Sequence, residues 1–271
     1  MNPFHLPPIW LYWDRHLSTM SPLLQYCVKT ILFWNPSCVI LSRDFYDSVW
    51  RTQVTSGDGS EGPPDKLLPE HGADILRSYL LQEYGGIWLD VDYLAMKPFY
   101  KAISDPTKFH LYPRNGSFDN DILYSPARHN FACEYWSEVR SRLVTAEHHN
   151  WEFPVRGWIG RDVFDLLLNP PETRRQDVAL FDPNEVTPHR TMSLSLDQFT
   201  SDEFEVEDKV YGVMLLNSAV KTYLDPAIPI DVHMKSKTVL GALLRCAQRK
   251  MDAACQTRHQ GLLTQLMGSA K

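Results

Sequence analysis

The sequence predicts an α/β fold with a mostly parallel central sheet. Short apolar runs alternate with stretches in which apolar residues recur at helical spacing, and the connections between them are short, as in βαβ units. Of the 271 residues, 44% are hydrophobic and 22% are charged, which is the usual mixture of a globular protein with a sizeable core. Periodicity, connection length and composition therefore agree on one fold class.

The first predicted elements form a βαβ unit near the N-terminus. The aromatic run 9–13 has the length and composition of a buried strand. Pro22 opens a stretch with apolar residues at helical spacing, and Asn35-Pro36 ends it. Residues 39–41 supply the second strand.

A second predicted helix and strand lead to a pair of acidic residues. Glycine and proline mark residues 55–65 as a loop. Residues 73–84 have an apolar helical face, and Gly85-Gly86 ends this helix. The strand 87–89 then runs directly into Asp90-Val91-Asp92.

The rest of the chain is predicted to contain helices over 131–147 and 161–168 and a separate C-terminal part. We expect residues 1–233 to form one domain and residues 234–271 a basic helical extension. The extension carries seven Lys or Arg and one acid, and its leucines recur at helical spacing. Such an amphipathic helix suits an anionic membrane surface, and packing against the acidic remainder of the protein is the alternative.

Charge, cysteine content and hydropathy argue against several classes of protein. A net charge of −6 argues against nucleic-acid binding, which needs a basic surface. The five cysteines form no CxxC pair, so we expect buried thiols in a reducing compartment. No apolar run approaches the ~20 residues of a membrane-spanning helix, and the N-terminus lacks the basic start of a signal peptide. We expect a cytoplasmic protein, or one in the Golgi or secretory lumen if the natural chain has a longer N-terminus.

Asp90 and Asp92 are unusual residues for the end of an apolar strand. On a continuing strand both side chains would point to one face, because side chains alternate with a period of two. Two like charges there repel each other, and burial adds a desolvation cost unless a cation neutralises them. A hard divalent metal with oxygen ligands meets that need, and a strand end in an exposed turn is the alternative.

The preceding helix adds a second charged pair, Asp74 and Arg77. These residues are three apart, so they lie on one helix face. Because Gly85-Gly86 turns the helix back onto the strand, Arg77 is predicted to lie near the aspartates, where a guanidinium binds phosphate oxygens well. A surface ion pair, or an N-cap role for Asp74, is the structural alternative.

These motifs carry a family resemblance. Residues 73–92, ADILRSYLLQEYGGIWLDVD, resemble the DXD sugar-binding region of glycosyltransferase family 32, and their spacing is similar to that of the large clostridial glucosylating toxins. Residues 7–15, PPIWLYWDR, are similar to the capsular polysaccharide synthesis branch of the same superfamily, as are Pro22 and Cys27. The resemblance extends over about residues 7–130.

The resemblance implies a GT-A fold, a Rossmann-like α/β domain that binds a UDP- or GDP-linked sugar together with Mn²⁺ or Mg²⁺. It implies transfer to an acceptor, such as a glycan or a lipid-linked sugar, with retention of the anomeric configuration. Asp92 would be the direct metal ligand, and Asp90 would contact the donor sugar, the ribose or the metal. Asp74 would bind hydroxyls of the transferred sugar, and Arg77 would reach the sugar and the phosphate.

The resemblance also assigns donor contacts outside the DXD region. Trp13, at the end of the first strand, would stack on the nucleobase, and a core aromatic is the alternative. Asn120 would touch the donor, and either of its neighbours, Asp119 or Asp121, could be the carboxylate nearer to the reacting carbon.

The C-terminal half departs from the family pattern. Many relatives carry a His-x-Trp-Asn-Ser-like segment that completes the metal and diphosphate site. The closest match here is residues 213–218, with Met214 at the histidine place and Leu216 at the tryptophan place. Asn217 and Ser218 are still predicted to supply neutral oxygen ligands, and His233 is an alternative late histidine. The departure keeps two other functions open: a non-catalytic protein that binds sugar nucleotides or glycans, and a nucleotidyltransferase.

Overall fold

The computed structural model describes residues 6–55, 69–114, 117–148, 161–168, 176–187, 206–215 and 225–268. The chain forms two compact units that interleave along the sequence. The first unit comprises Met1–Thr19, Ser37–Val91 and Tyr100–Pro183, and the second comprises Met20–Pro36, Asp92–Phe99 and Asn184–Lys271. The predicted domain boundary at residue 233 stays a prediction.

The regular elements are short strands and helices of mixed length. The described strands are β1 (Ile9–Tyr12), β2 (Cys38–Leu41), β3 (Gly86–Leu89), β4 (Tyr93–Ala95), β5 (Phe109–Arg114), β6 (Ser117–Ser125), β7 (Val178–Leu180) and β8 (Gly212–Met214). The described helices are α1 (Pro22–Trp34), α2 (Arg43–Val49), α3 (Pro69–Glu83), α4 (Asn130–His148), α5 (Arg161–Leu168), α6 (Pro183–Val186), α7 (Ile230–Lys235) and α8 (Val239–Gly268). A π-helical turn, Trp50–Val54, follows α2 directly.

The first unit is built on a six-stranded sheet with the order β2-β1-β3-β6-β5-β7. β1 pairs in parallel with β2 and β3, and β5 pairs in parallel with β7. β6 runs antiparallel to both of its neighbours, β3 and β5. The predicted mostly parallel sheet is therefore confirmed. Because β1 and β3 point the same way, Trp13 and Asp90 follow strands that end at one edge of this sheet.

The helix and strand that lead to Asp90 are joined by two glycines in conformations that other residues rarely adopt. Gly85 has φ of 64° and Gly86 has φ of 103°. A Cβ on Gly86 would lie 2.6 Å from the carbonyl oxygen of Pro8, which is backbone and cannot move aside cheaply. Trp10 Nε1 donates a hydrogen bond to the Gly85 carbonyl at 2.8 Å. The glycines thus let β3 pack tightly beside β1.

We predict that Gly86→Ala lowers the free energy of unfolding by about 1–3 kcal/mol through backbone strain, with the clash against Pro8 adding to this. Chemical denaturation followed by circular dichroism measures the change. Gly261→Ala is the control, because a Cβ there has nothing within 4 Å. That control should stabilise the exposed helix slightly, and equal stability of the two variants would contradict the prediction.

The second unit contains a two-stranded antiparallel sheet, in which β4 pairs with β8. Helix α1 holds this sheet through two polar contacts. Thr30 Oγ1 accepts a hydrogen bond from the Ala95 N–H at 2.9 Å, and Asn35 Oδ1 accepts one from the Phe99 N–H at 2.8 Å. Asn35, which the sequence identified as the end of this helix, therefore also anchors the segment after β4.

The C-terminal helix α8 is part of the core of the second unit over its first half. The apolar positions that the sequence predicted for it are buried: Leu240, Leu243, Leu244, Ala247 and Met251. Lys250 Nζ pairs with Asp208 at 2.9 Å. The first half of α8 thus packs within the second unit, and contact of this helix with a membrane surface stays a prediction. Among the described residues, no helix combines the length and the apolarity needed to cross a bilayer.

Three histidines, His110, His129 and His233, are buried or half-buried. Desolvation lowers the pKa of His110, His129 and His233 below the ordinary value. His110 is the best defined, because Nδ1 lies 3.0 Å from the Lys108 carbonyl oxygen and Nε2 lies 3.1 Å from Ser104 Oγ. These contacts suit a neutral ring that donates from Nδ1.

We predict that the free energy of unfolding falls as the pH drops below about 6.5, the pKa of an unfolded histidine. The unfolded chain then binds protons that the folded protein does not, and this favours unfolding. Urea denaturation between pH 8 and pH 5.5 measures the slope, and His110→Gln should reduce it. An unchanged slope in that variant would rule out His110 as a source.

Candidate functional site

Helix α3 presents Asp74 and Arg77 to the interior of the first unit. Asp74 is 7% exposed and Arg77 is 4% exposed, and Arg77 Nε lies 3.5 Å from Asp74 Oδ1. The pair is therefore not a surface ion pair. The helix begins at Pro69, so Asp74 lies inside it and is not its N-cap. Both structural alternatives are excluded for this pair.

The end of β3 brings Asp90 to the same cluster. Arg77 Nη2 lies 3.4 Å from Asp90 Oδ1, and Trp88 Nε1 donates a hydrogen bond to that same oxygen at 2.8 Å. The Asp90 side chain is 34% exposed, which makes it more accessible than Asp74 or Arg77. A ligand approaching this group from solvent would therefore meet Asp90 first.

A bulge in β6 supplies the third part of the cluster. Leu111 of β5 pairs with Leu123, but the next residue, Tyr112, pairs with Asp119, so residues 120–122 have no partner on β5. Bulges of this kind redirect side chains and are frequent next to active sites. The Asn120 side-chain amide donates to Asp74 Oδ1 at 2.7 Å, and the Asn120 carbonyl accepts a hydrogen bond from Arg77 Nη1.

The flanking residues of Asn120 are buried acids. Asp119 and Asp121 are 3% and 7% exposed. The Asp121 carbonyl accepts a hydrogen bond from the Asp90 N–H at 3.1 Å, which ties the bulge to the end of β3. The sequence predicted Asn120 and Asp121 as contacts of the sugar-nucleotide donor. The structure brings Asp121 to Asp90 and Asn120 to Asp74 and Arg77, and their contact with a donor stays a prediction.

The charges in this cluster are balanced around one buried cation. Burial by itself lowers the pKa of Arg77, but the negative charges of Asp90 and Asp74 outweigh it, so the pKa is raised above its ordinary value. The guanidinium also lies over the Trp88 ring, 5.0 Å from the centroid. Arg77 is therefore a fixed positive charge beside the accessible carboxylate of Asp90, which suits recognition of a polar, anionic ligand.

Trp13 lies just beyond the end of β1. Its backbone N–H donates to the Leu41 carbonyl at 3.1 Å, and its Nε1 donates to Thr19 Oγ1 at 3.3 Å. The residue is half-buried, so it is not a fully buried core aromatic. Its position at the carboxyl edge of the sheet is where open α/β sheets bind ligands. Stacking on a nucleobase stays a prediction.

Asp92 belongs to the second unit and lies in a turn. β3 ends at Leu89 and the chain turns at residues 91–92, so the strand does not continue through both aspartates. The Asp92 carbonyl accepts a hydrogen bond from the Leu215 N–H at 3.0 Å. Leu215, which lies in the segment matched to the family's metal-completing segment, is therefore hydrogen-bonded to Asp92 within this unit.

Met214, at the family's histidine place, is a core residue. It is fully buried, and its N–H donates to Thr187 Oγ1 at 2.8 Å. Asn217 and Ser218, the predicted oxygen ligands, lie outside the described residues. His233 lies in α7 and is also buried.

The carboxylate of Asp92 is chemically suited to bind a hard divalent cation. Within the described part of the chain, no three His, Cys, Asp or Glu side chains form a group that could hold a metal ion. Mg²⁺ does not need such a group, because it is commonly held by one or two carboxylates and by phosphates of the substrate. Carboxylate oxygens are the ligand type that this chemistry requires.

Comparisons with known proteins agree with the resemblance found in the sequence. Residues 2–133 match the family described as "Capsular polysaccharide synthesis protein". "Glycosyltransferase afumC" of Aspergillus fumigatus (strain CBS 144.89 / FGSC A1163 / CEA10) is 23% identical over 156 residues, which are 48% of this chain and 39% of that protein. The match thus spans only about two fifths of the curated relative.

Two solved glycosyltransferases overlap with this chain at low similarity. "PaToxG Glycosyltransferase" has a TM-score of 0.39 and 14% identity, covering 60% of this chain and 67% of its own. A glycosyltransferase involved in glycosylation of the major capsid of PBCV-1 has a TM-score of 0.40 and 15% identity, covering 69% of this chain and 86% of its own. The residues matched by this family, 2–133, hold Trp13, the buried Asp74–Arg77 pair and both aspartates of the DXD motif.

Proposed function

We propose that this protein is a glycosyltransferase that moves a sugar from a nucleotide-diphosphate sugar to an acceptor. The observation that carries the proposal is the buried Arg77, held between Asp74 and Asp90 at the carboxyl edge of the sheet. These residues lie in the DXD region, and the family and the relative afumC support the same activity. The proposed fold type is GT-A.

The residues of the first unit have distinct roles in this proposal. Arg77, charged and immobilised by four polar contacts, favours negative charge on the donor's diphosphate. Asp90 offers a partly exposed carboxylate to donor hydroxyl groups, while Trp13 offers an aromatic face to the base. Their common effect is to position the donor, which lowers the barrier by removing its motional freedom before reaction.

A divalent cation is the proposed cofactor, with Asp92 as its carboxylate ligand. When bound, Mn²⁺ or Mg²⁺ neutralises charge on the diphosphate that leaves. The proposed stereochemistry is retention, in which the acceptor hydroxyl attacks from the side of the departing diphosphate and its proton passes to a diphosphate oxygen. Asp74 and Asn120 hold Arg77 in place during this step.

A second candidate function is binding of sugar nucleotides without catalysis. The observation that favours it is Met214, which occupies the place of the family's histidine. Methionine has no imidazole to bind a metal, and this side chain is fully buried in the core. The protein would then still bind a sugar-nucleotide donor through Trp13 and through Arg77 with its partners Asp74 and Asp90, but it would not turn the donor over.

A donor screen tests the proposal. Thermal shift with UDP- and GDP-linked sugars, each with and without Mn²⁺, identifies the donor, and calorimetry measures its affinity. Release of nucleoside diphosphate from the bound donor supports the glycosyltransferase, and binding without turnover supports the second candidate. Release of pyrophosphate would indicate a nucleotidyltransferase, and the absence of any binding would overturn both candidates.

A further inference from the structure

Trp88 makes a contact to which the proposed function assigns no role. It lies in β3 two residues before Asp90 and is 1% exposed. Its Nε1 donates a hydrogen bond to Asp90 Oδ1 at 2.8 Å. The indole N–H is a donor only, and a buried donor is costly to leave without an acceptor, so this bond resists breaking.

The hydrogen bond restricts how the Asp90 carboxylate is oriented. Trp88 Nε1 and Arg77 Nη2 both approach Oδ1, from two different elements, β3 and α3. A carboxylate with two donors on one oxygen has little freedom to rotate, and its other oxygen is directed elsewhere. Because the side chain is 34% exposed, the Asp90 carboxylate is the part of the cluster best placed to meet a ligand.

We propose that Trp88 is a positioning residue, which fixes the Asp90 carboxylate for contact with the sugar-nucleotide donor. The inference rests on the proposed function. The guanidinium of Arg77 shares its N–H groups among Asp74, Asp90 and the Asn120 carbonyl. The indole N–H of Trp88, in contrast, donates to Asp90. Trp88 thus orients the carboxylate through a neutral donor group.

The neighbouring strand supplies a matched control. Trp10 of β1 is the register partner of Trp88, and its Nε1 donates to the Gly85 carbonyl at 2.8 Å. Trp88→Phe and Trp10→Phe each remove one indole N–H and similar side-chain volume from paired positions of one sheet. The Trp10 bond holds a turn between α3 and β3, so its loss affects stability and not the Asp90 carboxylate.

The experiment compares kcat/KM for donor hydrolysis in the full chain. Trp88→Phe is expected to lower kcat/KM about tenfold or more, the usual effect of losing a hydrogen bond to a charged group. Trp10→Phe is expected to stay within about twofold, since its contact lies away from the charged group. Because Trp88 is buried, benzothienylalanine at position 88, with sulfur in place of the ring N–H, is the second variant. It keeps the bicyclic ring over Arg77 and should show the same loss in kcat/KM.

A double-mutant cycle separates positioning from structure. If Trp88 acts through Asp90, Trp88→Phe should have no further effect on kcat/KM in an Asp90→Ala background, because alanine offers no oxygen to the indole N–H. An undiminished effect in that background, or equal losses in the Trp88 and Trp10 variants, would overturn the inference and leave the proposed function standing. A wild-type protein that binds no nucleotide sugar would instead overturn the proposed function.

Discussion

Asp92→Ala is expected to abolish metal-dependent release of nucleoside diphosphate from the donor. The variant removes the proposed carboxylate ligand of the cation and with it the neutralisation of the leaving diphosphate. Loss of one electrostatic contact of this kind commonly lowers the rate by about 10²–10³-fold. The fold should persist, because the hydrogen bond between the Leu215 N–H and residue 92 uses the backbone carbonyl.

Steady-state hydrolysis at increasing Mn²⁺ concentration measures the effect, with circular dichroism as the check on folding. Asp208→Asn is the matched control, since it also removes one carboxylate from the second unit. The Asp208 side chain is fully exposed at 101%, and its only described role here is the ion pair with Lys250. Wild-type turnover in the Asp92 variant would refute the assignment of Asp92 as metal ligand.

Arg77→Met is expected to cause the largest loss of stability. Removal of a buried charge leaves its partners Asp74 and Asp90 without their cation, and breaking a buried ion pair in this way typically costs about 3–5 kcal/mol. The Asn120 carbonyl loses a hydrogen bond as well. Methionine has a suitable length and no polar atoms, so the effect is one of charge and hydrogen bonding more than of volume.

Urea denaturation measures the free energy of unfolding of this variant, and donor binding should be lost with it. Arg77→Lys is the informative comparison, because it keeps the charge and lacks the planar fork that bonds several partners at once. It should recover part of the stability but little of the donor affinity. An Arg77→Met protein as stable as wild type would show that the buried cluster contributes nothing to folding.

The local elements around the site could be predicted from sequence. Helix α1 ends at Trp34 with Asn35 as its C-cap, and α4 and α5 lie within about one residue of the predicted ranges. Helix α3 begins at Pro69, earlier than the predicted residue 73. The apolar pattern starts later than the helix does, because the first turn of α3 carries polar and charged residues that periodicity does not detect.

The arrangement of the acidic residues could not be predicted in the same way. The sequence left open whether Asp90 and Asp92 follow one another on a continuing strand or in a turn, and the chain leaves β3 and turns after Asp90. The bulge that directs Asn120 to Asp74 depends on the register between β5 and β6. The sequence feature that indicates this bulge is the run FDND, residues 118–121, in which three polar residues precede the apolar end of a strand.

By itself the sequence determined the α/β class, the Gly85-Gly86 turn and the residues able to carry the chemistry. Helical periodicity, glycine conformation and motif spacing each involve residues that are close together in sequence, so they can be recognised from the sequence. The tertiary structure decided that Asp74 and Arg77 are buried, and that they meet Asn120 from 46 and 43 residues away. It also decided that Leu215 pairs with Asp92. Such contacts depend on strand register and on what covers each charge, and both are properties of the packed molecule.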